Sequence, residues 1–206
     1  MDTAVLPENY ESVWQHFACV ATGVRTTHPT LSYYCVDHHP LALQSLEKAI
    51  EYGYRRPALV IDETIDLLVQ RRFSTGYLIG QQALPQKNRI PPFLNVNETA
   101  AGLRAFTGWL THYKPDALFT LYNLVIHWLD ELGYSIPGDI GLFQLEWRAT
   151  QPEIAGMHQR NKMTGEAAVD MVISQIHNNE FGSPDFPRSM LISPEWRDGP
   201  SIQKKD

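Results

Sequence analysis

Short apolar runs rich in β-branched and aromatic residues alternate along the chain with longer segments whose apolar residues recur at helical spacing. Such runs are typical of buried strands, and apolar positions three and four residues apart are typical of helices that cover a sheet. The predicted strands are residues 17–21, 31–36, 58–61, 93–96, 117–121, 140–145 and 190–192. The predicted helices are one from Asp37, as N-cap, to Gly53, and then residues 65–82, 98–113, 124–132 and 165–178. This alternation predicts an α/β fold with a parallel sheet and helices on both faces.

Polar and aromatic residues follow four of the predicted strands. In open α/β sheets, ligands bind at the carboxyl ends of the strands. Hydrogen-bonding groups beside aromatic rings suit a polar ligand with apolar faces, such as a sugar. The same residue types are also typical of helix caps and turns, so the sequence leaves that alternative open. The residues concerned are Asp37, the pair Asp62-Glu63, the pair Tyr122-Asn123 and the pair Glu146-Trp147.

Charge and hydropathy narrow the class of protein. The formal net charge is −6, and the basic pairs 55–56, 71–72 and 204–205 are scattered. Proteins that grip phosphate backbones usually carry a basic stripe, so we do not expect this chain to bind DNA itself. It has no apolar run of the roughly 20 residues that a membrane span needs, and its first residues do not resemble a signal peptide. We therefore expect a cytoplasmic protein that does not enter a membrane.

The two cysteines, Cys19 and Cys35, lie inside apolar runs. We expect buried thiols there, in preference to a disulfide or a reactive pair. The sequence has no Cys-x-x-Cys motif, so nothing in it supports a structural zinc site.

The sharpest enzyme-like signal is Asp37-His38-His39 after a predicted strand. It resembles one motif of a family of manganese-dependent phosphoesterases, in which carboxylates and imidazoles hold metal. A two-metal site needs several more carboxylates on neighbouring strands, and no aspartate-rich motif precedes residue 37. The motif therefore favours Asp37 as a helix cap followed by two solvent-facing histidines. Because the common hydrolase and nucleotide-binding motifs are also absent, we expect no catalytic residues, no metal and no cofactor.

Several segments, taken in order, resemble the effector-binding domain of the lactose/galactose-repressor family. Residues 43–62 resemble that family's helix, Gly-aromatic-Arg-Arg turn and strand, and residues 129–147 resemble its Glu-Leu-Gly turn, Pro-x-Asp-Ile segment, strand and acidic end. The other similar segments are 68–82, with an arginine five residues before a Gly-aromatic pair, 115–123, 154–176 and 190–202. The resemblance covers about residues 17–200. It implies a periplasmic-binding-protein-like fold that holds a small effector, and a separate DNA-binding domain.

Carried over position by position, the resemblance implies a ligand site in this chain. Arg71 matches an arginine that binds ligand hydroxyl groups, which a guanidinium fork suits well. The positions implied to bind through polar groups are Asn123, Glu146 and Gln159, and those implied to stack on the ligand's apolar face are Tyr122 and Trp147. Glu146 stands where the family usually has aspartate, which lengthens its reach, and Tyr122-Asn123 stands where the family has an Asn-Asp pair.

The chain also departs from the family in length, because the DNA-binding domain and the first strands of the N-terminal lobe have no counterpart in it. We expect one complete C-terminal lobe, about 30–147 with 187–200, and a partial N-terminal lobe, about 1–29 with 148–186. A partial lobe exposes strand edges and apolar helix faces, so we expect a homodimer that covers them.

The leading hypothesis is therefore a non-enzymatic sensing region of a bacterial transcription regulator. Its expected partners are a small effector, a sugar or related polyol, and DNA only through a domain outside this chain. A solute-binding protein of a sugar transporter is one alternative, because it shares the two-lobed architecture. The metal-dependent phosphoesterase built on Asp37-His38-His39 is the other.

Overall fold

The chain folds around two β-sheets, which the computed structural model shows within the residues that it describes, 11–24 and 29–205. Each sheet belongs to its own compact unit. The first unit comprises the described residues up to 37, together with 68–70 and 159–193. The second unit comprises 38–67, 71–158 and the residues from 194 onward.

Helices and strands of the described residues alternate singly from β2 to α3 and from α5 to β5, and elsewhere like elements follow one another. The strands are β1 (Val20–Thr22), β2 (Ser32–Val36), β3 (Pro57–Val60), β4 (Ala117–Thr120), β5 (Gly141–Gln144), β6 (Ala155–His158), β7 (Ser189–Ile192) and β8 (Glu195–Arg197). The helices are α1 (Glu11–Trp14), α2 (His38–Glu51), α3 (Glu63–Leu68), α4 (Arg72–Gly80), α5 (Ala100–Tyr113), α6 (Asn123–Glu131) and α7 (Asn161–His177). The predicted α/β class is therefore confirmed.

The first unit is built on a three-stranded parallel sheet in the order β1-β2-β7. Helix α7 packs on β1 and β2, and its residues Ala168 and Met171 are buried with Tyr34 of β2. The opposite side of α7 remains apolar in part, because Val169 and Ile173 are 58% and 46% exposed. The exposed apolar helix face expected of this part of the chain is thus present.

The second unit is built on a five-stranded sheet in the order β3-β4-β5-β6-β8. Strands β3 to β6 are mutually parallel, and β8 pairs antiparallel with β6. In this register Thr120 lies opposite Gln144, and Gln144 lies opposite Gly156. The carboxyl ends of β3 to β6 therefore come together along one edge of the sheet, which we call the carboxyl edge.

Helices cover both faces of the five-stranded sheet, as predicted. Alternate strand residues point to opposite faces. On one face, Leu118 belongs to a buried cluster with Phe106 of α5 and Trp128 of α6. On the other, the ring of Phe119 meets the ring of Tyr77 of α4 at 6.3 Å between centroids, and α4 packs against α2. Because both faces are covered, polar ligand-binding groups are left to the rims of the sheet.

Long polar side chains hold the loops at the opposite rim. The guanidinium of Arg56 donates to the backbone carbonyl oxygens of Lys87, Tyr113 and Lys114, at 2.8 Å for Lys87. The phenol of Tyr52 donates to both carboxylate oxygens of Asp198, at 2.8 and 2.9 Å. These contacts fix the start of β3 and the segment after β8.

The lobe boundaries differ from the prediction. Strand β2 was expected in the larger lobe, but it pairs with β1 and β7 in the sheet of the first unit. The segment 155–158, expected in the smaller lobe, is β6 of the second unit. The chain passes between the units at 37/38, 158/159 and 193/194, and at both ends of the short segment 68–70. Pattern identifies a strand but not the partner with which its backbone pairs, which is why the boundary was placed wrongly. Residues 1–10 and 25–28 of the predicted smaller lobe lie outside the described residues.

The predicted helix 65–82 is two helices, α3 and α4, separated by a break. Gln70 and Arg71 have φ values of 58° and 57°, a left-handed conformation that an α-helix cannot contain. The buried carboxylate of Asp66 accepts a hydrogen bond from the amide of Ser74 at 3.1 Å, and so caps α4 from outside. The predicted strand 93–96 forms only isolated bridges at Phe93 and Asn95.

Cys19 and Cys35 form no disulfide with each other. Cys35 is buried as predicted, whereas Cys19, also expected to be buried, is only partly so. Burial raises the pKa of the Cys19 thiol above its ordinary value. Among the described residues, no helix combines the length and the apolar character that a membrane span requires.

Candidate functional site

The carboxyl edge of the five-stranded sheet gathers most of the residues that the sequence singled out. β3 ends just before Asp62 and Glu63, β4 just before Tyr122, and β5 just before Glu146. Parallel pairing brings these strand ends side by side, because each strand is in register with the next. The residues after β3, β4 and β5 therefore lie at one edge, and Arg71 is tied to it by an ion pair with Glu63. Asp37, expected with them, follows β2 in the first unit, which also contains Gln159. The part of these residues in ligand binding stays a prediction.

A pair of carboxamides lies near the middle of this edge. Gln144, the last residue of β5, is 1% exposed, and its Nε2 donates to the Oδ1 of Asn123 at 3.2 Å. Asn123 is the first residue of α6, so the bond ties the start of that helix to the neighbouring strand. The Oε1 of Gln144 is buried and has no hydrogen-bond partner among the described residues.

Tyr122 precedes this pair and lies half-buried against the apolar cluster beneath α5 and α6. Its backbone amide donates to the Thr120 hydroxyl at 3.1 Å, which turns the chain out of β4. The ring of Tyr122 thus packs against the core of the second unit, and its predicted role in ligand binding stays a prediction.

The ring of Trp147 lies at the carboxyl edge and contacts two other side chains. Its ring makes an edge-to-face contact with the ring of His158, at 5.5 Å between centroids, and the guanidinium of Arg197 lies over its face at 5.7 Å. The Nε1 of Trp147 and the Nδ1 of His158 are both buried and have no hydrogen-bond partner among the described residues. Unpaired buried donors and acceptors cost stability, and here two of them lie in neighbouring aromatic rings.

Three glutamates at the edge are paired with arginines, whereas the Asp62 carboxylate accepts a hydrogen bond from the Thr64 amide at 2.8 Å. Glu146 pairs with Arg148 at 3.1 Å, and Glu195 with Arg197 at 3.1 Å. Arg71, the predicted ligand arginine, pairs with Glu63 at 3.2 Å, and its side chain is 48% exposed. Each of these three guanidinium groups therefore has a carboxylate beside it.

Gln159 follows β6 directly but belongs to the first unit. Its half-buried side chain lies at the start of α7, where Arg160 occupies the N-cap position in a left-handed conformation. The part of Gln159 in a ligand site stays a prediction.

The histidines of the Asp37-His38-His39 motif contact helix α4 instead of forming an exposed pair. The ring of His38 is buried and meets the ring of Phe73 edge-on, at 4.8 Å between centroids. His39 Nδ1 lies 3.4 Å from the hydroxyl of Thr75. The expectation of two solvent-facing histidines is therefore wrong for His38. The described residues contain no group of three His, Cys, Asp or Glu side chains that could hold a metal ion.

Sequence reasoning missed Gln144 and His158 at this edge. A signal for Gln144 was present, because it is the one strongly polar residue inside the apolar run 140–145. His158 was harder to find, because β6 is only four residues long, contains Gly156 and was not predicted as a strand.

Comparison with known proteins gives one family and several solved structures. Residues 46–201 match the family described as periplasmic binding protein-like domain. No curated protein sequence matches the chain.

The fold is similar to that of several transcription regulators. A LacI family transcriptional regulator from Enterococcus faecium, solved with bound ribose, has a TM-score of 0.70 and 14% identity over 91% of this chain and 71% of its own. The transcriptional regulator CelR in complex with cellobiose has a TM-score of 0.65 and 17% identity, over 88% of this chain and 58% of its own. The transcription regulator CcpA of Lactococcus lactis has a TM-score of 0.65 and 15% identity, over 89% of this chain and 68% of its own. The chain therefore shares its fold with these solved structures, in addition to its match to the sequence family.

Proposed function

The chain belongs to the periplasmic binding protein-like domain family, and from this premise we propose that it is the effector-sensing region of a transcription regulator of the lactose/galactose-repressor type. Its role is to bind a small neutral molecule, a sugar or related polyol, and it has no catalytic function. Solved regulators of similar fold support the proposal, because one holds ribose and another cellobiose.

The observation that carries the proposal is the chemistry of the carboxyl edge. Trp147 offers an aromatic face, and Asn123 and Glu146 lie at the ends of neighbouring strands beside it. The arginines at this edge have carboxylate partners. A sugar has the matching chemistry: hydroxyl groups that both donate and accept, apolar faces formed by C–H groups, and no charge.

Each predicted residue has a role in this proposal. Arg71 donates to ligand hydroxyl groups from its fork, Glu146 accepts from them, and Asn123 binds a further oxygen. Trp147 and Tyr122 pack on the apolar faces. Gln159 belongs to the first unit, and its part in ligand binding is proposed from the family resemblance alone.

The proposal extends to assembly and location. A sensing region of this type acts on DNA through a separate DNA-binding domain, and its homodimer brings two such domains to paired half-sites. A cytoplasmic location follows from that role. Ligand binding changes DNA affinity only if the ligand favours one arrangement of the protein over another.

The test is titration calorimetry of the purified chain with D-ribose and with cellobiose. We expect heat of binding with at least one sugar, and a loss of about tenfold or more in affinity in Trp147→Ala and Glu146→Gln. Glu153→Gln is the matched control, since Glu153 is an exposed carboxylate that precedes β6 at its opposite end. Binding of neither sugar, or binding that both site variants leave unchanged, would remove this edge as the effector site.

The solute-binding alternative is favoured by one observation, the family description itself. The two functions differ in their consequence for DNA. A full-length protein that carries this chain and binds an operator fragment with sugar-dependent affinity is a regulator, whereas a sugar binder with no effect on DNA is a solute-binding protein.

A further inference from the structure

We propose that Gln144 is a positioning residue that orients the carboxamide of Asn123, so that Asn123 presents its N–H groups to the ligand. The inference rests on the proposed function and adds a chemical requirement to it. The ligand must place an oxygen that accepts a hydrogen bond, such as a hydroxyl or ring oxygen, opposite Asn123.

The geometry of the pair fixes the orientation. The Nε2 of Gln144 donates to the Oδ1 of Asn123 at 3.2 Å. A carboxamide has one oxygen that accepts and one nitrogen that donates, so a side chain whose oxygen is engaged has its two N–H groups left for another partner. Without Gln144, the two ends of the Asn123 amide are free to exchange places by rotation about a single bond.

Gln144 is held rigidly enough to impose this choice. It is 1% exposed, and its backbone lies in the middle of the sheet, opposite Thr120 of β4 and Gly156 of β6. Strand positions between two paired neighbours have little freedom to move, and a buried side chain occupies a single rotamer. The donor that reaches Asn123 is thus fixed by the sheet itself.

The stability of the sheet does not explain the glutamine. Its Oε1 is buried without a hydrogen-bond partner among the described residues, which is an unfavourable state for a carbonyl oxygen. A methionine has a similar unbranched shape and fills the same space with no polar atom to satisfy. The packing of the sheet does not require the carboxamide of Gln144. The hydrogen bond that this carboxamide makes is to Asn123, a candidate ligand-binding residue.

The experiment compares three variants of the purified chain: Gln144→Met, Asn123→Asp and the control Gln175→Met. Gln175 is a matched control because it is 2% exposed, donates one hydrogen bond through Nε2 and has a buried Oε1 without a partner among the described residues, but it lies in α7 of the first unit. The probes are D-ribose and cellobiose, measured by calorimetry, with whichever sugar binds the wild type used for all variants.

We expect Gln144→Met to weaken sugar binding by about tenfold, the effect of about one hydrogen bond, and to leave the melting temperature equal to or above that of wild type. Asn123→Asp keeps an oxygen for Gln144 to donate to but has no N–H, so it weakens binding by at least as much. It should fold, because an acidic residue at the first position of a helix is favourable. Gln175→Met should bind like wild type.

Side-chain amide signals in ¹⁵N NMR spectra give a second readout, without ligand. The pair of signals missing in Asn123→Asp identifies Asn123, and we expect that pair to shift in Gln144→Met and not in Gln175→Met. An unchanged pair overturns the orienting contact itself.

The outcomes separate the inference from the function on which it rests. If the wild type binds neither sugar, the proposed function fails and the inference falls with it. If the wild type binds and Gln144→Met binds equally well, the function stands and the inference is overturned. If Gln144→Met instead lowers the melting temperature much more than Gln175→Met does, Gln144 is a structural residue and the inference is also overturned.

Discussion

Gly156 offers a direct test of the sheet geometry that forms the candidate site. It lies in β6 with Gln144 of β5 on one side and Arg197 of β8 on the other. A Cβ atom added at Gly156 would lie 2.0 Å from the carbonyl oxygen of Gln144, 2.8 Å from its carbonyl carbon and 2.9 Å from its nitrogen. Because all three atoms are backbone, no side-chain rotation relieves the overlap, and in Gly156→Ala the strands must separate.

The size of the effect follows from these distances. Real Cβ atoms essentially never come within 3.0 Å of such a neighbour, so β5 and β6 must move apart by at least 3.0 − 2.0 = 1.0 Å. That displacement stretches a ladder hydrogen bond from about 2.9 Å to about 3.9 Å, beyond bonding range. Within the described residues, β5 and β6 pair at 143–155 and 144–156, and just beyond β5 the Trp147 amide donates to the carbonyl of Met157 at 2.9 Å. Loss of their buried hydrogen bonds, at about 1–3 kcal/mol each, gives an expected destabilisation of about 3–5 kcal/mol.

Urea unfolding followed by circular dichroism measures this free energy of unfolding. Gly108→Ala is the matched control, because Gly108 is exposed in α5 and its added Cβ would meet nothing within 4 Å. We expect that control to gain about 0.5–1 kcal/mol, the ordinary benefit of alanine over glycine in a helix. A Gly156→Ala protein within 1 kcal/mol of wild type would refute the β5–β6 register, and with it the placement of Gln144.

Three further predictions concern pH, loop anchoring and ligand charge. Burial first, and then the hydrogen bond to Asp198, raise the pKa of Tyr52 from 10.0 to about 12. The contribution of Tyr52 to stability is therefore complete below pH 10 and is lost as the pH rises to about 12. Tyr52→Phe should therefore lose less stability than wild type over that range in urea unfolding at stepped pH, and an equal loss would contradict the assignment. In Arg56→Lys, the lysine cannot reach all three carbonyl oxygens that the guanidinium holds. We expect the free energy of unfolding to fall by about 1.5–3 kcal/mol in urea unfolding. An unchanged midpoint would contradict this anchoring role. Sugar affinity should change less than about twofold between 0.02 and 0.5 M salt, because salt screens charged ligands and not neutral ones; a steep salt dependence in calorimetry would indicate an ionic ligand.

The strands and helices could be predicted from the sequence because strands that are buried on both faces of the sheet consist of continuous apolar residues. β3 and β4 read as short apolar runs, and all four residues of each strand are buried. The polar residues that follow them could be placed at one edge by the rule for parallel sheets alone. The fold class and the residues that follow the strands rest on these local patterns, whereas Arg71 and the binding roles came from the family resemblance.

The parts that could not be predicted depend on contacts between distant segments. β2 and β7 look like any other apolar run, but the sheet they join is decided by hydrogen bonds between residues more than 150 positions apart, such as the one from the Tyr33 amide to the carbonyl of Arg188. The break at Gln70 and Arg71 is invisible to helical periodicity, because apolar residues continue at suitable spacing through it. Gln144 shows the same limit at the site: its type could be read, but not its contact with Asn123.

Buried polar groups of the second unit differ in whether the described residues satisfy their hydrogen bonds. Ser201 is buried and satisfied on both sides, because its hydroxyl donates to the carbonyl of Leu142 at 2.6 Å and accepts from the amide of Ala155 at 2.9 Å. Gln144 and Trp147 are at the edge, and each has a buried polar atom without a partner among the described residues. Such atoms cost about 1–3 kcal/mol apiece, and a sheet selected only for stability would carry apolar side chains there. Glu63, Glu146 and Glu195 are already engaged by arginines. The unsatisfied atoms of Gln144 and Trp147 are neutral, one an acceptor and the other a donor, which is the complement of a hydroxyl-bearing ligand.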